Sequence, residues 1–138
     1  MRIHVLDANA LYRFLTNGAG ADIVANVFKE AASTGTPVMM SVINWGEVFY
    51  VIARTFGVAK TEKLLDQARE DLGLSVIIVN RENAIRAAKI KTQFGVPYAD
   101  AFAAELTGGQ HVLMTADLDH FQALPKIRRL KLPSHKKQ

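Results

Sequence analysis

The sequence contains no cysteine, which excludes disulfides and thiolate metal sites and fits a cytoplasmic protein. It has no run of about 18 apolar residues, so no membrane-spanning helix and no membrane partner are expected. A basic segment followed by an uncharged apolar one is also missing from the start. Asp7 falls where such a segment would lie, and no secretory signal is expected. Aromatic residues are scarce at 8%, and none marks itself as a platform for stacking bases. There is no internal repeat and no linker that would divide domains. What is present is 138 residues, 49% of them hydrophobic, enough for one well-packed core and too little for two. A single domain over residues 1–133 is expected, followed by a short basic tail at 134–138.

The net charge of +4 is unevenly spread. Residues 1–125 carry 11 Lys/Arg against all 13 Asp/Glu, a mild acidic excess. Lys126, Arg128, Arg129, Lys131, Lys136 and Lys137 then make the end strongly basic. That asymmetry points to a polyanionic or acidic partner, with a solubilising tail as the plainer reading.

Apolar runs and helical periodicities alternate along the chain. Strands are expected at residues 2–6, Val38–Val42, Leu74–Val79, His111–Met114 and Ile127–Leu132. The continuous β-branched run at 74–79 predicts a strand buried on both faces. Helices are expected at 8–17, Asp22–Ser33, Asn44–Phe56, 59–72, Arg81–Phe94 and Tyr98–Leu106, with a short one at Leu118–Ala123. Strands joined by helices imply an α/β fold with a mainly parallel sheet of about five strands and helices on both faces.

Five acids stand where that fold would build a site, outside the carboxyl ends of the strands. Asp7 follows the first strand directly, where an Asp is also a common helix N-cap. Glu47 lies in the most apolar helix with no base three or four residues on, and an acid on a largely buried helix needs a partner. Asp100 opens an almost wholly apolar helix, where it also suits the helix dipole. Glu105, farther along, reads as solvent-facing. Asp117 and Asp119 come after the fourth strand together with Thr115, and an Asx-turn or cap explains one of them. Carboxylates gathered at one edge repel one another unless a cation neutralises them. A hard, oxygen-preferring ion is implied, Mg²⁺ or Mn²⁺. Zinc is disfavoured, since His4, His111, His120 and His135 show no ligand spacing. His120 lies near the acidic edge, with room for a minor substrate role.

The motifs Val5-Leu6-Asp7-Ala8-Asn9, Ser41 to Glu47 (SVINWGE), Pro97-Tyr98-Ala99-Asp100-Ala101 and Thr115-Ala116-Asp117-Leu118-Asp119-His120-Phe121 occur in order over nearly the whole chain. Together they resemble the PIN-domain nucleases, particularly the VapC toxins of toxin–antitoxin pairs. The resemblance implies a PIN-like three-layer α/β/α sandwich and a Mg²⁺- or Mn²⁺-dependent endoribonuclease that leaves a 3′-hydroxyl and a 5′-phosphate. It implies a catalytic quartet of Asp7, Glu47, Asp100 and Asp117, with Asp7, Asp100 and Asp117 on the metal and Glu47 as outer ligand or general base. Asn9, Thr115 and Asp119 would support them. Lys126, Arg128, Arg129 and Lys131 would add RNA-backbone affinity. A VapB-type antitoxin and a homodimer are the implied partners. Gly46, next to Glu47, departs from the family's usual helix formers.

The sequence leaves other functions open. An RNA-processing nuclease without an antitoxin shares the same motifs. A catalytically silent PIN-like RNA-binding module would not require all four acids. A phosphotransfer enzyme with Asp7 as nucleophile is the third, though Asn9 stands where one such pattern expects a second Asp.

Overall fold

The first strand is the middle of the sheet and contributes to both of its cores, Leu6 to one and Val5 to the other. The computed structural model describes residues 2–116, 121, 124 and 128–133, and of Arg128 and Arg129 only the backbone. In chain order the elements are β1 (His4–Leu6), α1 (Ala8–Leu15), α2 (Ala21–Thr34), β2 (Val38–Ser41), α3 (Val42–Phe56), α4 (Val58–Leu72), β3 (Leu74–Ile77), α5 (Arg81–Phe94), α6 (Tyr98–Thr107), β4 (Val112–Thr115) and β5 (Arg128–Lys131). All five strands are parallel, in the order β3-β2-β1-β4-β5. The chain therefore starts in the middle of the sheet, winds outward to β3, and crosses back to β4 on the other side of β1.

Alternation along the strands creates two cores. Leu6, Met40 and Met114 point to one face and meet Leu11, Val24, Phe28, Val48 and Leu65 from α1 to α4. Val5 and Leu113 point to the other and meet Ala87, Ala101, Phe102 and Ala104 from α5 and α6. The result is the expected α/β/α sandwich. A fully buried Leu or Val contributes about 1.5–3 kcal/mol. The half-exposed Arg86–Glu105 ion pair at 3.0 Å adds less than about 1 kcal/mol. Packing on the sheet, not surface charge, holds the fold.

Three sequence expectations change. The run from Leu74 is an edge strand, not a strand buried on both faces: only Leu74 is buried, and Ile78 is 80% exposed beyond its end. With a single neighbouring strand, Val76 and Ile77 are only partly buried, Val76 at the margin of the first core. The helix expected from Asn44 begins at Val42, because Ser41 accepts a hydrogen bond from Ile43 N at 3.2 Å and caps it directly after β2. That helix is also less buried than its composition implied, with only Asn44, Val48 and Ile52 fully inside. The expected helix at 118–123 lies outside the described residues except for Phe121, which is buried.

The segment just after β5 is tied back to the first helices. Arg13, 3% exposed, donates from Nη1 to Ala19 O at 3.2 Å and to Pro133 O. Gly20 has φ +88°, and a Cβ there would lie 2.9 Å from Pro133 Cδ. A side chain at position 20 is thus opposed by both backbone and space.

Candidate functional site

Strand order reverses at β1, which has β2 on one side and β4 on the other. In open α/β sheets ligands bind outside the carboxyl ends of the strands at such a switch point. Asp7 stands there. Its backbone N–H donates to Met114 O at 3.3 Å, and the pairing of Leu6 with Met114 sets it beside Thr115 at the end of β4. Its Oδ1 accepts from Ala10 N at 2.8 Å, so the same carboxylate caps α1. Asp7 is 3% exposed, and the cap fixes its rotamer.

Glu47 arrives from the second turn of α3. Because β2 runs into α3 with no loop, that turn rises from the same sheet edge. Glu47 is half-buried, and its partner is an amide: Asn44 Nδ2 donates to Glu47 Oε1 at 3.0 Å. Asp100 is the third residue of α6, whose face of Ala101, Phe102 and Ala104 is packed into the second core. Small alanines let α6 lie close to the sheet and bring its first turn to the edge.

Among the described residues, Asp7, Glu47 and Asp100 line one cavity of about 330 Å³ together with Ala8, Asn9, Tyr12, Val48 and Val51. Asn9 presents a buried Oδ1 with no hydrogen-bond partner among the described residues. Thr115 is fully buried at the neighbouring strand end, where its carbonyl accepts from Leu132 N at 2.9 Å. Lys131 is exposed and pairs in register with Thr115, so it reaches the same edge. Asp117, Asp119, His120 and Lys126 lie outside the described residues, as do the side chains of Arg128 and Arg129.

Three of the four expected acids thus meet. The remaining acid on α6, Glu105, does not face solvent as expected: its side chain is 11% exposed and is held by Arg86 Nε at 3.0 Å and Asn83 Nδ2 at 3.2 Å. That pairing explains it structurally. Asn44, Tyr12, Val48 and Val51 were not expected at the site. Asn44 was legible as the one polar residue a turn before Glu47 on an apolar helix.

The donor set is all hard oxygen: carboxylates and an orphaned amide oxygen. Such groups fit Mg²⁺ or Mn²⁺, not a soft ion. Among the described residues no three Asp, Glu or His side chains stand as a group that could hold a metal ion by themselves. Away from the cavity, burial lowers the pKa of His4, at the start of β1, against smaller upward effects of the Arg2 backbone and Glu30.

Comparison with known proteins agrees with this fold. A chain of the VapBC2 complex from Rickettsia felis, bound to a DNA fragment from its promoter, superposes with TM-score 0.73 at 16% identity, covering 95% of this chain and 99% of that one. A chain of the DNA-bound VapBC from Salmonella typhimurium gives TM-score 0.73 at 19% identity over 95% and 98%. VapBC-1 from nontypeable Haemophilus influenzae gives 0.66 at 18% identity over 94% and 97%. Among curated protein sequences none matches. The sequence itself matches the PIN domain over residues 4–127. With a match of that extent, and with the strand order and acidic cavity described above, the chain belongs to the PIN domain family.

Proposed function

We propose that the protein is a Mg²⁺- or Mn²⁺-dependent endoribonuclease and the toxin of a toxin–antitoxin pair. The observation that carries this reading is the convergence of Asp7, Glu47 and Asp100, from three separate elements, on one cavity at the switch point of the sheet. Likeness to chains of VapBC complexes supports a VapB-type antitoxin as partner. RNA as substrate and a homodimer follow from the resemblance of the motifs to VapC toxins.

Asp7 and Asp100, with Asp117, are the residues assigned to hold the ion. When bound, that ion would lower the pKa of a water and offset charge on the scissile phosphate. Asp7 is suited to its part because its N-cap bond holds the carboxylate still before any ligand arrives. Glu47, half-buried at the rim, is suited to hold a water or accept its proton. Asn9 offers its unpaired oxygen to the same space. Lys131, exposed at the end of β5, would add attraction for a phosphodiester backbone, and that attraction weakens with salt.

The test is incubation of total RNA with the purified chain and Mn²⁺, with mapping of new 5′ ends. Discrete cleavage that stops on adding EDTA is the expected result. Cleavage that persists in EDTA would overturn the metal assignment. RNA binding without cleavage would leave a silent PIN module. A neighbouring small reading frame encoding a DNA-binding protein, and growth arrest on expression, are expected of the toxin role.

A further inference from the structure

We infer that Asn44 is a positioning residue, which sets how Glu47 and the first turn of α6 face each other across the acidic cavity. Its functional meaning rests on the nuclease reading above. Asn44 is fully buried. Its Nδ2 donates to Glu47 Oε1 at 3.0 Å and to Ala99 O at 3.1 Å, and Ala99 directly precedes Asp100. One amide group thus spans two elements and touches both acid-bearing segments, without lining the cavity itself.

The chemistry fixes which end of the amide does this. Both partners are acceptors, so only the NH₂ end can face them; the flipped amide would set oxygen against a carboxylate and a carbonyl. The oxygen end has no hydrogen-bond partner among the described residues. An Asn kept for packing alone would be outdone by an apolar side chain of similar size, which leaves no buried oxygen unpaired. The two donated bonds are therefore the reason for an amide here. The bond to Ala99 O ties the first turn of α6, whose N-cap Pro97 supplies no side-chain cap, to α3. Asp100 thus follows a residue anchored to α3, and Glu47 accepts from the residue one turn before it.

The experiment measures Mn²⁺ binding by calorimetry on the purified chain without RNA, for wild type, Asn44→Leu, Asn44→Ala, Glu47→Gln and the Asn44→Leu/Glu47→Gln double variant. Thermal unfolding is followed in parallel. Each Asn44 variant that folds is expected to bind Mn²⁺ about tenfold more weakly or worse, the usual scale for losing a group that orients a metal ligand. Asn44→Thr, which retains one donor, should fall between these and wild type. In the Glu47→Gln background the loss from Asn44→Leu should shrink, because part of it acts through Glu47. Wild-type affinity in the folded Asn44 variants, or losses that simply multiply in the double variant, would overturn the inference. A wild-type chain that binds no Mn²⁺ is a different failure, which removes the metal site itself and the inference with it.

Discussion

Two strand-to-helix junctions build most of the site, and they solve the same problem differently. Both β1 and β2 pass into a helix without a loop, and both new helices are capped by an oxygen side chain, Asp7 in one and Ser41 in the other. At the first junction the cap is itself the site acid, so one carboxylate holds α1 and faces the cavity. At the second the two tasks are split. Neutral Ser41 caps α3, and Glu47 enters six residues later under the control of Asn44. Stability and chemistry are fused in Asp7 and separable at α3. An acid in the second turn of a half-exposed helix has no cap bond to hold it, and Asn44 takes that part for Glu47.

The largest effect should come from separating the fused roles. Asp7→Asn keeps a good N-cap while removing the charge, so RNA cleavage should fall by at least about 10²-fold with little change in unfolding midpoint. Asp7→Ala should lose cleavage and about 1 kcal/mol of stability as well, measured by chemical denaturation. Equal stability of the two variants would break the claim that Asp7 is a working cap. At the second junction the same losses should fall on different residues. Glu47→Gln should impair cleavage and leave stability near wild type, whereas Ser41→Ala should cost about 1 kcal/mol and leave a folded, active chain. Gly46 sharpens the picture on the stability side: a Cβ there meets nothing within 4 Å, so Gly46→Ala should stabilise α3 by about 0.5–1 kcal/mol.

The smallest effect is expected at the opposite end of β1, where neither junction reaches. Burial lowers the His4 pKa below its ordinary 6.5. The unfolded chain then binds more protons than the folded one as pH falls below that value, so stability should decline with acidification there. A thermal melt series from pH 7.5 downward should show this decline, and His4→Phe should flatten it. An unchanged slope in that variant would assign the acid sensitivity to the carboxylates instead.

Much of this was legible in the chain because periodicity and punctuation agreed. Asp7 after an apolar run, Gly95 closing α5 and the apolar stretch opening with Tyr98 each predict an element that is present within a residue or two. What sequence could not supply was neighbourhood. A β-branched run reads as doubly buried wherever it sits, yet the run from Leu74 is at the sheet margin, a consequence of strand order alone. Glu105 looked solvent-facing because its partners Asn83 and Arg86 belong to another helix. Asn44 looked like a helix-start residue, and its role depends on Ala99, 55 residues away. Tyr12 joins the cavity wall by lying one turn beyond the Asp7 cap, a position that aromatic content alone does not single out.

The central claim is that acids from β1, α3 and α6 meet to hold a divalent ion. Anomalous X-ray diffraction from crystals grown with Mn²⁺ tests it most directly. The account predicts a Mn²⁺ peak inside the cavity bounded by Asp7, Glu47 and Asp100, lost in Asp7→Asn. A cavity without Mn²⁺ at millimolar concentration, or a Mn²⁺ site elsewhere that survives Asp7→Asn, would contradict it.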